Sequence, residues 1–131
     1  MEENKIIKHP FELFGIECGS GWKKIYEPLI EKIKEYNEKN PDSPIQILQV
    51  KEKWGTLRFY VSSAPQEIYD LIDKAEKKSE ITCEECGYTN PKKVKNKPIL
   101  GWYRTLCPRC RERIEKEKKA LYEKIENKNK N

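Results

Sequence analysis

The sequence predicts an α+β protein, in which a small α-β-β-α unit is followed by a cysteine-anchored module and a charged C-terminal helix. Three observations carry this. Apolar residues recur every three or four positions across residues 22–36 and then alternate with polar ones across 56–62, so the period changes from helical to extended. Two Cys-x-x-Cys pairs, Cys83/Cys86 and Cys107/Cys110, stand 20 residues apart. Beyond the second pair the chain is mostly charged, with Ile114, Leu121 and Ile125 on one narrow stripe.

The elements follow in order. Residues 1–10 read as a loose arm ending at His9-Pro10, and Phe11, Leu13, Phe14 and Ile16 form an apolar cluster. The turn-rich run Cys18-Gly19-Ser20-Gly21-Trp22 leads into a helix whose stripe is Trp22, Ile25, Tyr26, Leu29, Ile33 and Tyr36. Pro28 falls within it and removes one backbone bond, so a short first turn or a kink is expected there. A loop at residues 40–44 closes this segment. Runs 45–51 and 56–62 read as a β-hairpin, with Leu57, Phe59 and Val61 on one face and Arg58 and Tyr60 on the other. Ser63, with Gln66 three positions on, matches a capping box for a helix lined by Ile68, Leu71, Ile72 and Ala75. The tail from Asn127 to Asn131 reads as frayed. The division expected is 1–82 for the α-β-β-α unit and 83–131 for the cysteine module with its helix.

At 131 residues, with 36% hydrophobic and 37% charged residues, the chain is too short for a large enzyme scaffold. No apolar run approaches the ~20 residues a membrane span needs. The charge is uneven: residues 1–82 carry 13 basic and 15 acidic side chains, a net of −2, whereas 83–131 carry 14 and 7, a net of +7. From Tyr88 to Arg111 there are seven basic residues and no acidic one.

The four paired cysteines point to one structural Zn2+. Two residues between thiolates let one knuckle supply two tetrahedral ligands, and five cysteines in such a chain indicate metal or thiol chemistry in a reducing compartment rather than a disulfide scaffold. Residues 92–99 and 102–106 fit a hairpin turning at Gly101, and Cys107 and Cys110 run into the first turn of the charged helix. Knuckle, hairpin and ligands at a helix start resemble a treble-clef zinc finger. A closed four-cysteine site leaves no open position for catalysis. Cys18 has no histidine but His9 to activate it, so it reads as a packing cysteine, and the Gly15, Gly19 and Gly21 cluster lacks the lysine of a phosphate loop. Glu84 and Glu85 read as solvated. No catalytic residue is expected, and the protein reads as a non-enzyme.

That leaves binding. Lys92, Lys93, Lys95, Lys97, Arg104, Arg109 and Arg111, interleaved with Tyr88, Trp102 and Tyr103, can neutralise phosphates and stack on bases. On the hairpin, Arg58 and Tyr60 are the polar-face candidates for a partner contact. Trp54 at the tight turn is either folded back onto the first helix or exposed as an anchor.

Three stretches carry a further resemblance: Phe14-Gly15-Ile16-Glu17-Cys18-Gly19-Ser20-Gly21-Trp22, then residues 49–61 (Gln-Val-Lys-Glu-Lys-Trp-Gly-Thr-Leu-Arg-Phe-Tyr-Val), then the cysteine pairs with Trp102 and Thr105-Leu106-Cys107. Over residues 11–110 the chain resembles small zinc-finger proteins encoded by bacteriophages and prophages. The resemblance implies a bacterial cytoplasmic setting. It also implies an accessory role, with binding to a host or defence protein (a CRISPR-type enzyme, for example) expected first. DNA binding through residues 88–111 is expected second.

Overall fold

The computed structural model of the protein describes residues 15–130. In chain order these form β1 (Ile16–Glu17), a 3-10 turn (Ser20–Trp22), α1 (Lys23–Lys39), β2 (Ile47–Lys53), β3 (Thr56–Val61), α2 (Gln66–Ser79), β4 (Lys95–Ile99), β5 (Trp102–Leu106) and α3 (Pro108–Lys130). The architecture is mixed α+β, with three helices and two small sheets. His9, Phe11, Leu13 and Phe14 lie outside the described residues.

One sheet has the order β1-β2-β3. β1 pairs in parallel with β2 through Ile16 and Glu17, a short strand that the apolar clustering of this segment did not reveal. β2 and β3 form the expected antiparallel hairpin, closed at Trp54-Gly55. The register slips between Ile47 and Gln49, a bulge that sets Ile47 and Val50, three positions apart, both into the core. α2 protects the outer edge of β3: the Leu57 N–H donates to Ser79 Oγ and the Phe59 N–H to Glu76 Oε2, each at 3.0 Å.

The helical stripe of α1 is buried as its spacing implies, with Ile25, Tyr26, Leu29, Ile30 and Ile33 against Ile47, Val50, Leu57, Phe59, Ile68 and Ile72. Pro28 is absorbed without ending the helix, which follows directly on the 3-10 turn. Asn37 closes the next loop by accepting the Ile45 N–H at 2.7 Å and donating to the Ile45 carbonyl at 2.9 Å. α2, however, has no side-chain cap. Extended Pro65 precedes it and its carbonyl accepts the Ile68 and Tyr69 N–H groups, so the box expected from Ser63 does not form.

A second, smaller core gathers Val94, Ile99, Leu106 and Ile114 around Cys83, Cys107 and Cys110. The β4–β5 hairpin pairs Lys95–Ile99 with Trp102–Leu106 about a Leu100-Gly101 turn. α3 is longer than its charge pattern suggests and continues through residues 127–130, so that part of the tail is helical rather than frayed. Of its three aliphatics only Ile114 is buried, while Leu121 and Ile125 are exposed. The helix runs past the module it starts from, and its last turns are exposed among the described residues.

Candidate metal centre

The knuckle at residues 83–86 and the start of α3 bring Cys83, Cys86, Cys107 and Cys110 together, with all four sulfurs within 4.8 Å of one another. A tetrahedral ion with metal–sulfur bonds of about 2.3 Å requires sulfurs about 3.8 Å apart, and Cys86 and Cys107 stand at 3.8 Å. Gly87, at φ 84, lets the knuckle turn back so that its N–H reaches the Cys83 carbonyl at 2.9 Å. At the helix start the Cys110 N–H points at Cys107 Sγ, 3.4 Å away, which fixes the position of that sulfur. Burial, together with the adjacent sulfurs, pushes the Cys110 thiol up to about 12 when no cation is present. Negative charges packed this closely repel one another unless a cation lies between them. The donor set and spacing therefore fit one metal ion.

The knuckle also fastens the cysteine module to the first unit. Glu84, between two of the cysteines, is 5% exposed rather than solvated. Its carboxylate accepts the Gly19 N–H at 2.9 Å and Arg104 Nε at 3.1 Å. Its carbonyl accepts the Gly21 N–H at 2.7 Å and its own N–H donates to the Thr105 carbonyl at 3.0 Å. Trp22, fully buried, donates its indole N–H to the Thr82 carbonyl at 2.8 Å. A second fastening lies at the hairpin tip, where Thr105 Oγ1 donates to the Gly55 carbonyl at 2.6 Å and Asn96 Nδ2 to the Trp54 carbonyl at 2.9 Å. The glycines beside Trp22 are thereby explained: a Cβ at Gly19 would lie 2.5 Å from the Glu84 carbonyl oxygen, and one at Gly21 would strike the Cys83 and Glu84 carbonyls.

The basic residues divide into two groups. Arg111 donates to the carbonyls of Lys95, Lys97 and Arg104, and Arg104 is held by Glu84 and Glu85, so both guanidiniums hold the module together and neither is free for phosphate. Glu85 is exposed and also meets Arg113 at 3.3 Å. Lys92, Lys93, Lys95, Lys97 and Arg109 are exposed. Arg58 is half-buried, its Nε without a hydrogen-bond partner among the described residues, and Tyr60 is exposed.

The aromatic candidates are more open than a small core would suggest. Trp54 is 65% and Trp102 69% exposed, so Trp102 is no part of the module's core. Trp54 meets the edge of Tyr103 at 6.1 Å between ring centroids. Both hairpin turns place a bulky apolar residue in the left-handed region, Trp54 at φ 56 and Leu100 at φ 51, each followed by a glycine with positive φ. The apolar-residue–glycine pairs between strand runs, Trp-Gly and Leu-Gly, were the available sequence signal for this, and only the first attracts notice by its size.

Cys18 is half-buried, and its thiol is pushed up to about 12 by burial and by the nearby Glu84 and Glu52 carboxylates. At pH 8 this leaves it about 1,000-fold less thiolate than a thiol at 9.0 would have. Iodoacetamide should therefore modify Cys18 about a thousand times more slowly in the native protein than in urea, as read by mass spectrometry. Because the unfolded chain ionises first, Cys18 costs the native state stability as pH rises from about 9 toward about 12.

Fold and site together define a mixed α+β protein with a four-cysteine centre able to hold one metal ion. Compared with protein-family models, with curated proteins and with solved structures, the chain matches none of them. No helix among the described residues is long and apolar enough to cross a membrane.

Proposed function

We propose that this is a zinc-stabilised accessory protein that binds a protein partner through the tips of its two hairpins. The observation that carries the reading is the pair of left-handed apolar turn residues. A hairpin turn with two positive-φ positions favours Asn or Asp before Gly, and a bulky side chain there is strained and, when exposed, gains no burial. Trp54 and Leu100 bear both costs, and Trp102 and Tyr103 add exposed aromatic surface beside them. Aromatic anchors of this kind supply most of the energy of protein interfaces.

The metal in this reading is zinc, since four thiolates in tetrahedral array suit it and no ligand position is left for substrate. The knuckle, hairpin and helix-start ligands are then a treble-clef finger, with the metal as its organiser. The protein is read as a binder rather than an enzyme, which the suppressed thiolate of Cys18 supports. A phage or prophage origin, a bacterial cytoplasmic setting and inhibition of a host or defence enzyme enter this proposal from the sequence resemblance.

A specific observation favours nucleic acid as a second reading: Lys92, Lys93, Lys95, Lys97 and Arg109 are exposed and form no ion pair among the described residues. One experiment separates the two. Tagged, zinc-loaded protein is used to capture partners from bacterial lysate, with high-salt washes and nuclease. One host protein retained under both conditions, and lost with Trp54→Ala, supports the first reading. Retention of nucleic acid alone, lost at high salt and on changing the four lysines to Glu, replaces it with the second.

Leu100→Asn sharpens the test. It relieves the turn at φ 51 without removing a buried contact, and should raise stability by about 0.5–1 kcal/mol, or Tm by about 2–6 °C, while weakening capture. A variant that is more stable yet captures the partner unchanged would remove Leu100 from the interface.

A further inference from the structure

We propose that the groove between α1 and α2 docks an acidic amphipathic helix of a partner protein, on a surface separate from the hairpin tips. The groove has a volume of about 460 Å³. Its floor is apolar: Pro28 of α1 and Leu71 of α2 are accessible there, and the core residues Ile25, Leu29 and Ala75 show only their edges. Its rim is four lysines, Lys24 and Lys32 on one wall and Lys74 and Lys78 on the other, and no acidic side chain among the described residues lines it.

Charge complementarity identifies the occupant. Residues 1–82 carry a net charge of −2, yet these four lysines surround one apolar floor and none forms an ion pair among the described residues. Neighbouring lysines on the same two helices are paired, Lys23 with Glu27 and Lys77 with Asp73. Like charges placed four and eight residues apart on facing helices repel in the free protein, and acidic groups lying between them relieve that repulsion.

The geometry favours a helix. Lys24 and Lys32 are separated by about 12 Å of helix rise and Lys74 and Lys78 by about 6 Å. An incoming helix with an apolar stripe flanked by Glu or Asp every three or four residues matches both walls while its stripe meets the floor. A flat anionic surface would reach the lysines but not the recessed apolar residues between them.

The test uses the zinc-loaded full chain and fluorescein-labelled synthetic peptides of sixteen residues, read by anisotropy. One peptide carries a leucine stripe at helical spacing flanked by glutamates, a second is its scramble, and a third has lysines in place of the glutamates. The first should bind with Kd on the order of 10 μM, and the other two at least about tenfold more weakly. Lys24→Glu/Lys74→Glu/Lys78→Glu should weaken the first peptide at least about tenfold. Lys23→Glu/Lys77→Glu, on the same helices outside the groove, should bind as the parent does and controls for folding. Absence of binding, equal binding of the scramble, or indifference to the triple reversal overturns the proposal. So does binding of phosphatidylglycerol vesicles by a protein that ignores the peptide. Trp54→Ala and Leu100→Asn leave this surface intact, so failure here and failure of the hairpin-tip reading are separable.

Discussion

Stripping the metal from the four-cysteine centre should unfold the C-terminal module while leaving the first unit with its own core. The reason is the size of what remains. Without an ion the module has only Val94, Ile99, Leu106 and Ile114 as buried aliphatics, and a core this small does not order some thirty residues unaided. The four sulfurs, crowded within 4.8 Å, would lose the charge that holds them as thiolates. Chelation should lower the first thermal transition by roughly 15 °C or more, expose four thiols to a colorimetric reagent and reduce helical circular dichroism as α3 loses its anchored first turn. Trp22 provides an internal reporter, because its indole donates to the Thr82 carbonyl at the junction of the two parts. Coincident melting curves for loaded and chelated protein would mean that the ion does not organise the module.

Gly21→Ala is the second large effect, and it arises far from the cysteines in sequence. The added Cβ would strike the carbonyls of Cys83 and Glu84, both backbone atoms of the knuckle, which cannot yield as a flexible side chain would. The bond from the Gly21 N–H to the Glu84 carbonyl, 2.7 Å, would be lost in the same movement. The expected cost is about 3 kcal/mol or more, from overpacking and a buried polar group left unpaired. Displacing Glu84 moves the backbone that carries Cys83 and Cys86, so metal affinity in a chelator competition should fall about tenfold or more as well. Gly15→Ala is the control, since nothing lies within 4 Å of a Cβ at Gly15. Equal stability of the Gly15 and Gly21 variants would refute the close approach on which the union of the two parts depends.

Both effects bear on the proposed binding role. The hairpin tips bearing Trp54 and Leu100 belong to different sheets, and their relative position is set by Thr105 and Asn96 donating to the carbonyls of Gly55 and Trp54. If the metal holds the β4–β5 hairpin in place, it also fixes the second tip relative to the first. A partner that needs both tips would then sense metal loading, although the ion contacts neither of them.

What the sequence by itself determined was whatever depends on near neighbours. The stripe of α1, the alternation of β3 and the Cys-x-x-Cys spacing are periodic or local, and periodic burial can be read from one segment at a time. Only the tertiary structure decided which of the remaining polar and aromatic residues are free. Glu84 looks solvated between two ligands, yet it is buried because Gly19 and Gly21, over 60 residues earlier, bring their N–H groups to it. Arg104 and Arg111 look like phosphate contacts until Glu84, Glu85 and three strand carbonyls are found to hold them. Leu121 and Ile125 carry a sound helical spacing but meet no surface among the described residues, because α3 extends beyond the part of the fold that buries Ile114. Residue type and spacing state what a side chain can bond to, and its actual partner is set by chain segments whose approach no local pattern encodes.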